Sequence, residues 1–451
     1  MNRKIDPVTR DLSLFALPML LGNILQSCYS MVDMAVVGQF VGREALAAVS
    51  NTSMICFFSN SICIGFTVGC NVLVAKFRGA KNASAQRDTI RTTFALSILG
   101  GILLTLLNYL LYQPILRLMN IPAEAFPYAV EYMSIICAGN IFVFGYNAVC
   151  SVMRGLGDSR RPLYFVAVTA VVNIVLDYLL VGVFHWGVRG AAIATVLAQA
   201  ASCLSGLLSL KKQGKLDPEF VFRFDRHSLQ LNSEICGSLI RIGLPTALRS
   251  AALNMSYLIV TALFNNYGTA VAAAAGIGLK VNTFVAMPSW AAGQAVTTMA
   301  GHSMGAKDSV LAGKIARKGI MVSLLFTGIF LVFMQLFIRP FLGFFTSDAE
   351  VIELGVLYLR ICCSVNFIPY VAMYVLDSFA TGVGAPILAM VNSLLHSVVI
   401  RLGLSILLAI LLNFGYVGLL VAESVSPVIP CCIGLAFFLR GRWRVKKNLA
   451  F

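Results

Sequence analysis

Gly79-Ala80-Lys81 returns about 226 residues later as Gly305-Ala306-Lys307. The echo extends outward from that pair. Leu17-Pro18 returns as Leu244-Pro245, and Gly155-Leu156-Gly157 as Gly382-Val383-Gly384. Gly187, Gly190 and Ala194 return as Gly415, Gly418 and Ala422. Each pair marks the same place in a series of six apolar segments, so one six-segment pattern is written twice. The twelve segments begin near Leu12, Ala45, Thr92, Tyr128, Pro162, Gly190, Ser238, Ala270, Ile320, Val351, Pro386 and Gly415. A stretch of about 20 apolar residues spans a hydrocarbon core of about 30 Å as a helix.

The chain has 451 residues, 59% hydrophobic and 12% charged, whereas an ordinary soluble domain is about 25% charged. A soluble core cannot hide that much apolar surface. Lipid leaves no partner for open backbone groups, so the spans must be helices, and the ten-residue alternation of a barrel is not seen. The predicted fold is an all-α integral membrane protein with twelve transmembrane helices in two pseudo-symmetric six-helix bundles. Six is even, so both halves insert the same way round, as parallel repeats about an axis along the membrane normal. The polar stretch from Lys211 to about Ser233, with Lys215, Asp217, Pro218 and Arg223, separates them. The expected division is an N-lobe at 1–210, a cytoplasmic linker at 211–237 and a C-lobe at 238–451 with a basic tail. Pro18 and Pro288 fall inside the first and eighth segments, where proline kinks a helix.

A net charge of +15 invites a nucleic-acid reading, but its placement gives another. Lys and Arg gather at the N-terminus, in the even loops (Lys76 to Arg91, Arg154 to Arg161, Lys307 to Lys318), in the middle linker and in the tail. The odd loops hold only Arg43, Arg117, Arg189 and Arg339. Basic residues favour the cytoplasmic side during insertion. The charge is therefore a topology signal. It predicts a multi-pass protein of the plasma (inner) membrane with both termini cytoplasmic, membrane lipid as its surroundings and no nucleic-acid partner. The first segment is too long for a cleavable signal and carries Asp33. The twelve cysteines form no C-x-x-C pair and read as small packing residues.

Chemistry is carried by ionisable groups inside the spans. A charge at mid-bilayer costs about 2.5 to 3.5 kcal/mol on insertion scales, so it marks function by default. Asp33 lies late in the first segment and Asp177 in the fifth. Asn173 is four residues before Asp177, hence on the same helical face, and Thr195 in the sixth segment adds a hydroxyl. Burial disfavours the charged form of a carboxyl group, and a second carboxylate nearby disfavours it further. Such a group takes up a proton on one side and releases it on the other. The same oxygens suit Na+, because hard cations prefer oxygen ligands. The second half differs: Arg249, Lys280, Arg360, Asp377, His396, Arg401 and Glu423 fall in apolar surroundings. Opposite charges inside a membrane usually pair, so an Asp377–Arg401 or Glu423–Arg401 bridge is expected.

Gly155-Leu156-Gly157-Asp158 imitates the G-x-G-D of intramembrane aspartyl proteases. Asp158 precedes Ser159-Arg160-Arg161-Pro162, a loop, and its counterpart is Ala385, so the glycines read as a turn. No H-E-x-x-H and no phosphate-binding loop is present, so neither a metalloprotease of that kind nor ATP-driven transport is supported.

These residues resemble the multidrug and toxic compound extrusion (MATE) family along almost the whole chain. The likeness rests on Leu17-Pro18, Val32-Asp33 through Val37-Gly38 to Ala45-Leu46-Ala47-Ala48, the paired Gly-Ala-Lys loops, Arg154-Gly155-x-Gly157-Asp158 and Gly187-x-x-Gly190-Ala191-Ala192. The resemblance implies cation-coupled export of organic, often cationic compounds through two six-helix lobes. Its DinF-like branch implies an N-lobe cation site at Asp33, Asn173, Asp177 and Thr195, with Asn147 as a looser match. The NorM-like branch carries two C-lobe acids, whose places here fall at Leu253 and near Tyr370, so no such site is implied.

The reading is a secondary active antiporter that exports hydrophobic or cationic organic compounds in exchange for H+ or Na+ by alternating access. Asn147, Asp377, Arg401 and Glu423 are candidates for the substrate cavity. No cofactor beyond the coupling ion and no obligate protein partner is expected, and the protein is expected to be a monomer. The rivals are a flippase for a lipid-linked precursor, which needs a strongly cationic cavity, and a non-transporting scaffold or receptor.

Overall fold

The computed structural model describes residues 6–119, 121, 123–216, 220, 222, 228–343, 345–364 and 367–444. The first half holds α1 (Pro7–Phe40), α2 (Arg43–Gly79), α3 (Ala83–Leu118), α4 (Phe126–Gly155), α5 (Arg160–Val183) and α6 (Gly187–Leu216). The second holds α7 (Ser233–Asn265), α8 (Thr269–Gly305), α9 (Ser309–Leu336), α10 (Ala349–Cys362 and Phe367–Gly382), α11 (Pro386–Leu411) and α12 (Gly415–Arg440). Eleven of these helices are long and apolar enough to cross a membrane, and the bent α10 pair makes a twelfth span. The sequence reads α10 as one segment, whereas its two pieces meet at 55°.

The outer faces explain why lipid must be the solvent. Leu103 and Leu110 of α3 are 68% and 74% exposed. On α9, Met321, Leu325, Ile329 and Val332 line one face at helical spacing, all 60–62% exposed. Apolar surface in water costs roughly 25 cal/mol per Å², and hydrocarbon removes that cost. The protein is a multi-pass integral membrane protein.

The repeat is written in the backbone as well as in the letters. Left-handed residues recur in pairs: Gly42 and Gly268, Lys81 and Lys307, Gly157 and Gly384, His185 and Asn413, Gly187 and Gly415. The Gly-Ala-Lys motif is a helix-to-helix joint. Lys81 (φ 54°) and Lys307 (φ 59°) take the left-handed conformation that non-glycine residues rarely adopt. The next residue caps the following helix: Asn82 Oδ1 accepts from the Ala85 N–H at 3.0 Å, and Asp308 Oδ1 from the Leu311 N–H at 2.8 Å. Asp158 serves the turn after α4. Its carboxylate accepts from the Arg160 and Arg161 N–H groups at 2.9 and 3.1 Å and pairs with the Arg161 guanidinium, which gives its acid a structural use.

Contacts divide the chain into two compact units, Leu21–Ala247 and Met1–Leu20 with Leu248–Phe451. The cuts fall inside α1 and α7, each three residues past a Leu-Pro pair. Helix continues into both ends of the expected linker, through Leu216 and from Ser233. Asp217, Pro218 and Arg223 lie outside the described residues. In the first unit, Val37, Val49, Tyr132, Val181, Val188 and Ala191 form one buried cluster. In the second, one cluster gathers around Val285, Tyr358, Val371 and Leu419, and another around Val296, Phe379 and Trp443.

Both halves break the α-helical ladder at the same place. Tyr178–Val183 of α5 and Ile406–Leu411 of α11 are π-helical. Their amide bonds repeat: Phe184 to the Leu179 carbonyl and Leu412 to the Leu407 carbonyl. Single π turns are rare and frequent at functional sites. A glycine of the next helix packs on each. A Cβ at Gly190 would stand 3.1 Å from the Leu180 carbonyl carbon, and one at Gly418 2.7 Å from the Ala409 nitrogen. These glycines let α6 and α12 approach the widened turns. Gly418→Ala is expected to destabilise the protein by about 1–3 kcal/mol through overpacking, read as a lower thermal unfolding midpoint in detergent. Gly328→Ala, with nothing within 4 Å, serves as the control that keeps or raises the midpoint. Equal midpoints for the two variants would contradict the packing described.

Candidate functional site

In the first unit, three helices bring the expected side chains together. Asp33 comes from α1, Asn173 and Asp177 from the last turns of α5 before its π segment, and Thr195 from α6. Asn173 and Asp177 lie on one buried face, at 1% and 0% exposure, while Val171, Ile174, Val175 and Tyr178 around them face outward. Asp33 is 9% exposed. The Asn173 amide donates to Thr195 Oγ1 at 3.5 Å, a long bond. The Asp33 and Asp177 carboxyls are neighbours, close enough to hydrogen-bond once one of them carries a proton.

The oxygens are under-used. Asp33 Oδ1, Asn173 Oδ1 and both carboxylate oxygens of Asp177 are buried and accept no hydrogen bond among the described residues. A buried polar group without a partner costs about 1–3 kcal/mol, and more when charged. Two like charges about 4 Å apart repel by roughly 4 kcal/mol at an effective dielectric of about 20. A proton or a hard cation relieves both costs.

The sequence reading missed Tyr132. This α4 residue is 6% exposed. Its hydroxyl is in hydrogen-bonding reach of Thr195 and within electrostatic reach of both Asp33 and Asp177. A tyrosine in an apolar run carries no charge signal, and only the packing of α4 against α2 and α6 shows where it points. Asn147, one helical stretch further along α4, stays apart from this group. Its amide donates to the Val143 carbonyl of its own helix at 2.9 Å.

In the second unit, Arg401 pairs with Glu423, not with Asp377. The Arg401 guanidinium also lies 4.0 Å over the Tyr257 ring. Asp377 instead accepts from the Asn392 amide at 2.7 Å and the Ser393 hydroxyl at 3.2 Å. Arg249 sits over Tyr374 at 5.0 Å, with Asp377 within reach of its charge. The Trp290 indole donates to the Tyr370 hydroxyl at 3.0 Å. Lys280 and Arg360 are exposed.

Repeated helical halves with ionisable side chains buried inside them are the architecture of a membrane transporter. Residues 18–179 and 245–413 match the family model described as MatE, one stretch in each half. The chain belongs to the MATE family and is a transporter, not an enzyme. It is 31% identical over 362 residues to the "Probable multidrug resistance protein YoeA" of Bacillus subtilis (strain 168), covering 78% of this chain and 77% of that one. It is 28% identical over 441 residues to the "Probable multidrug resistance protein YpnP" of the same organism, covering 98% and 97%. The fold matches that of an outward-facing multidrug resistance MATE family transporter of the MOP superfamily, with a TM-score of 0.89 at 21% identity over 97% and 96% of the two chains. A MATE crystal structure in the bent conformation matches with a TM-score of 0.88 at 20% identity over 98% of each.

Removing the Tyr132 hydroxyl deletes one neutral hydrogen-bonding group beside the acids, worth about 1 kcal/mol. Tyr132→Phe is expected to fold normally and to weaken the apparent affinity for the coupling ion roughly fivefold, measured as the ion concentration that half-saturates export. An unchanged half-saturation would remove Tyr132 from the site.

Proposed function

We propose that this transporter is a secondary antiporter of the plasma membrane that exports hydrophobic, cationic organic compounds in exchange for H+ or Na+. The observation that carries the proposal is the group of buried, unpartnered oxygens around Asp33 and Asp177. Asp33 is the principal coupling carboxylate. Asp177 makes its ionised state costly, Asn173 and Thr195 complete an all-oxygen donor set, and Tyr132 supports it. An entering cation or proton neutralises the acids, which stabilises one conformation over the other by its differential affinity. The N-lobe at 1–210 and the C-lobe at 238–451 alternate access, with both termini on the cytoplasmic side, and the molecule works as a monomer. The relatives' names, multidrug resistance and multidrug export, support the substrate class.

Of the four substrate candidates, Asp377 is proposed to attract the organic cation beside the aromatic rings of Tyr370 and Tyr374, and Asn147 to supply a polar contact in the other lobe; Arg401 and Glu423 pair with each other and are not proposed to touch substrate. The flippase reading asks for a free cationic set. Here Arg401 is answered by Glu423, Arg249 lies over Tyr374 near Asp377, and Lys280 is exposed, so those charges do not support it.

The test is export of a lipophilic organic cation such as tetraphenylphosphonium from proteoliposomes under an imposed Na+ gradient and, separately, a pH gradient. Wild-type protein is expected to respond to at least one gradient. Asp33→Asn is expected to remain folded and to lose gradient-driven export by at least about a hundredfold, the scale of an allosteric coupling of about 3 kcal/mol. Wild-type export by folded Asp33→Asn would sink the assignment.

A further inference from the structure

The two halves handle the same internal position in opposite ways. Counting back from the paired π segments and forward to the paired glycines, Asn173 falls on Arg401, Asp177 on Ser405 and Thr195 on Glu423. The contact repeats as well as the place: Asn173 meets Thr195 in the first half, and Arg401 meets Glu423 in the second. The second half has one residue more between its left-handed glycine, Gly384, and its π segment than the first has after Gly157. It also has an extra π-helical turn at Leu395–Leu402, which absorbs an inserted residue and carries Arg401 into register. Counted from the paired Leu-Pro, Asp33 falls on Val260, so no acid stands there in the second half. The first half therefore buries two carboxylates with no basic partner in their group. At the matching position the second half holds one carboxylate, Glu423, and Arg401 balances it; Asp377 lies apart from that pair, held by Asn392 and Ser393.

We infer that Arg401 is a tethered cation that fills, in the second half, the position at which the first half takes a mobile one. Its guanidinium is 1% exposed and held between the Glu423 carboxylate and the Tyr257 ring. Glu423 thus has a permanent counter-ion, and the protein couples through one ion site rather than two. Arg401 sets the ion stoichiometry without itself exchanging. The site hidden beneath it belongs to a small monovalent cation, with Glu423 and the Ser405 hydroxyl as its oxygens. Ser405 Oγ and Tyr358 Oη are buried and make no hydrogen bond among the described residues. The titratable side chains within electrostatic reach of the pair are Tyr257, Tyr358, Cys362, Cys363 and His396. The inference rests on the reading of Asp33 and Asp177 as the mobile-ion site.

The test uses full-length protein in detergent, with Asp33→Asn and Asp177→Asn already in place to silence the first half. Thermal unfolding is followed as NaCl replaces choline chloride, from about 1 mM to about 100 mM Na+, and as pH is lowered from about 8 to about 6 at low sodium. Adding Arg401→Asn is expected to create a rise of about 2 °C or more with Na+ or with acid, and adding Glu423→Gln as well is expected to abolish it. No added response from a folded Arg401→Asn protein overturns the inference. The readout is the difference that Arg401→Asn makes, so it decides the inference even if the parent retains a response of its own. A response in that parent would instead count against the reading of the first half. Should Arg401→Asn fail to fold, the paired Arg401→Gln/Glu423→Gln variant decides in otherwise wild-type protein. With both charges gone, gradient-driven export and its ion-to-substrate ratio are expected to be unchanged, and loss of export by the folded pair overturns the inference.

Discussion

Asp33 and Asp177 place two carboxyl groups side by side among buried side chains, where water cannot screen them. Surrounding donors do not offset that charge, since most of the oxygens accept no hydrogen bond among the described residues. A bound proton or cation removes the cost of that buried charge. That cost, more than any single contact, is what the proposed ion coupling of this half rests on. The rest of the first unit serves it: α1 supplies one acid, α5 the other with its amide, α6 the hydroxyl and α4 a tyrosine.

Helices 5 and 11 show how a repeated fold is put to two uses. Each turns π-helical just past the ionisable position, and each is met by a glycine of the following helix. A π turn carries an extra residue per turn and so redirects the side chains beside it. In the first half this leaves Asn173 and Asp177 on the buried face toward Thr195. In the second the extra turn at Leu395–Leu402 brings Arg401 to Glu423. One frame therefore holds unpartnered buried oxygens in one half and a fixed charge pair in the other. A buried ion pair adds little to stability compared with apolar packing of the same volume, so its retention fits a role in charge balance.

Much of this was legible in the sequence. The repeat, the spans and the Asp33, Asn173, Asp177, Thr195 set follow from hydropathy, from paired motifs and from charged letters inside apolar runs. Such signals survive in one dimension because lipid imposes the same length and polarity rules on every span. The Glu423–Arg401 pair was one of two expected bridges, and nothing in the letters chose between it and Asp377–Arg401. Tyr132 was invisible, since its polar tip is a single hydroxyl in a run of apolar residues.

The sequence by itself determined that this is a doubled helical membrane protein with acids buried in its first half. Only the tertiary structure decided which side chains meet. Neighbouring charges are far apart along the chain, and their pairing depends on how closely α6 and α12 can lie against the turns before them. That approach is set by two glycines and by π-helical turns, whose widened geometry leaves no mark in hydropathy. In the second half the extra π turn carries Arg401 into the place that Asn173 holds in the first.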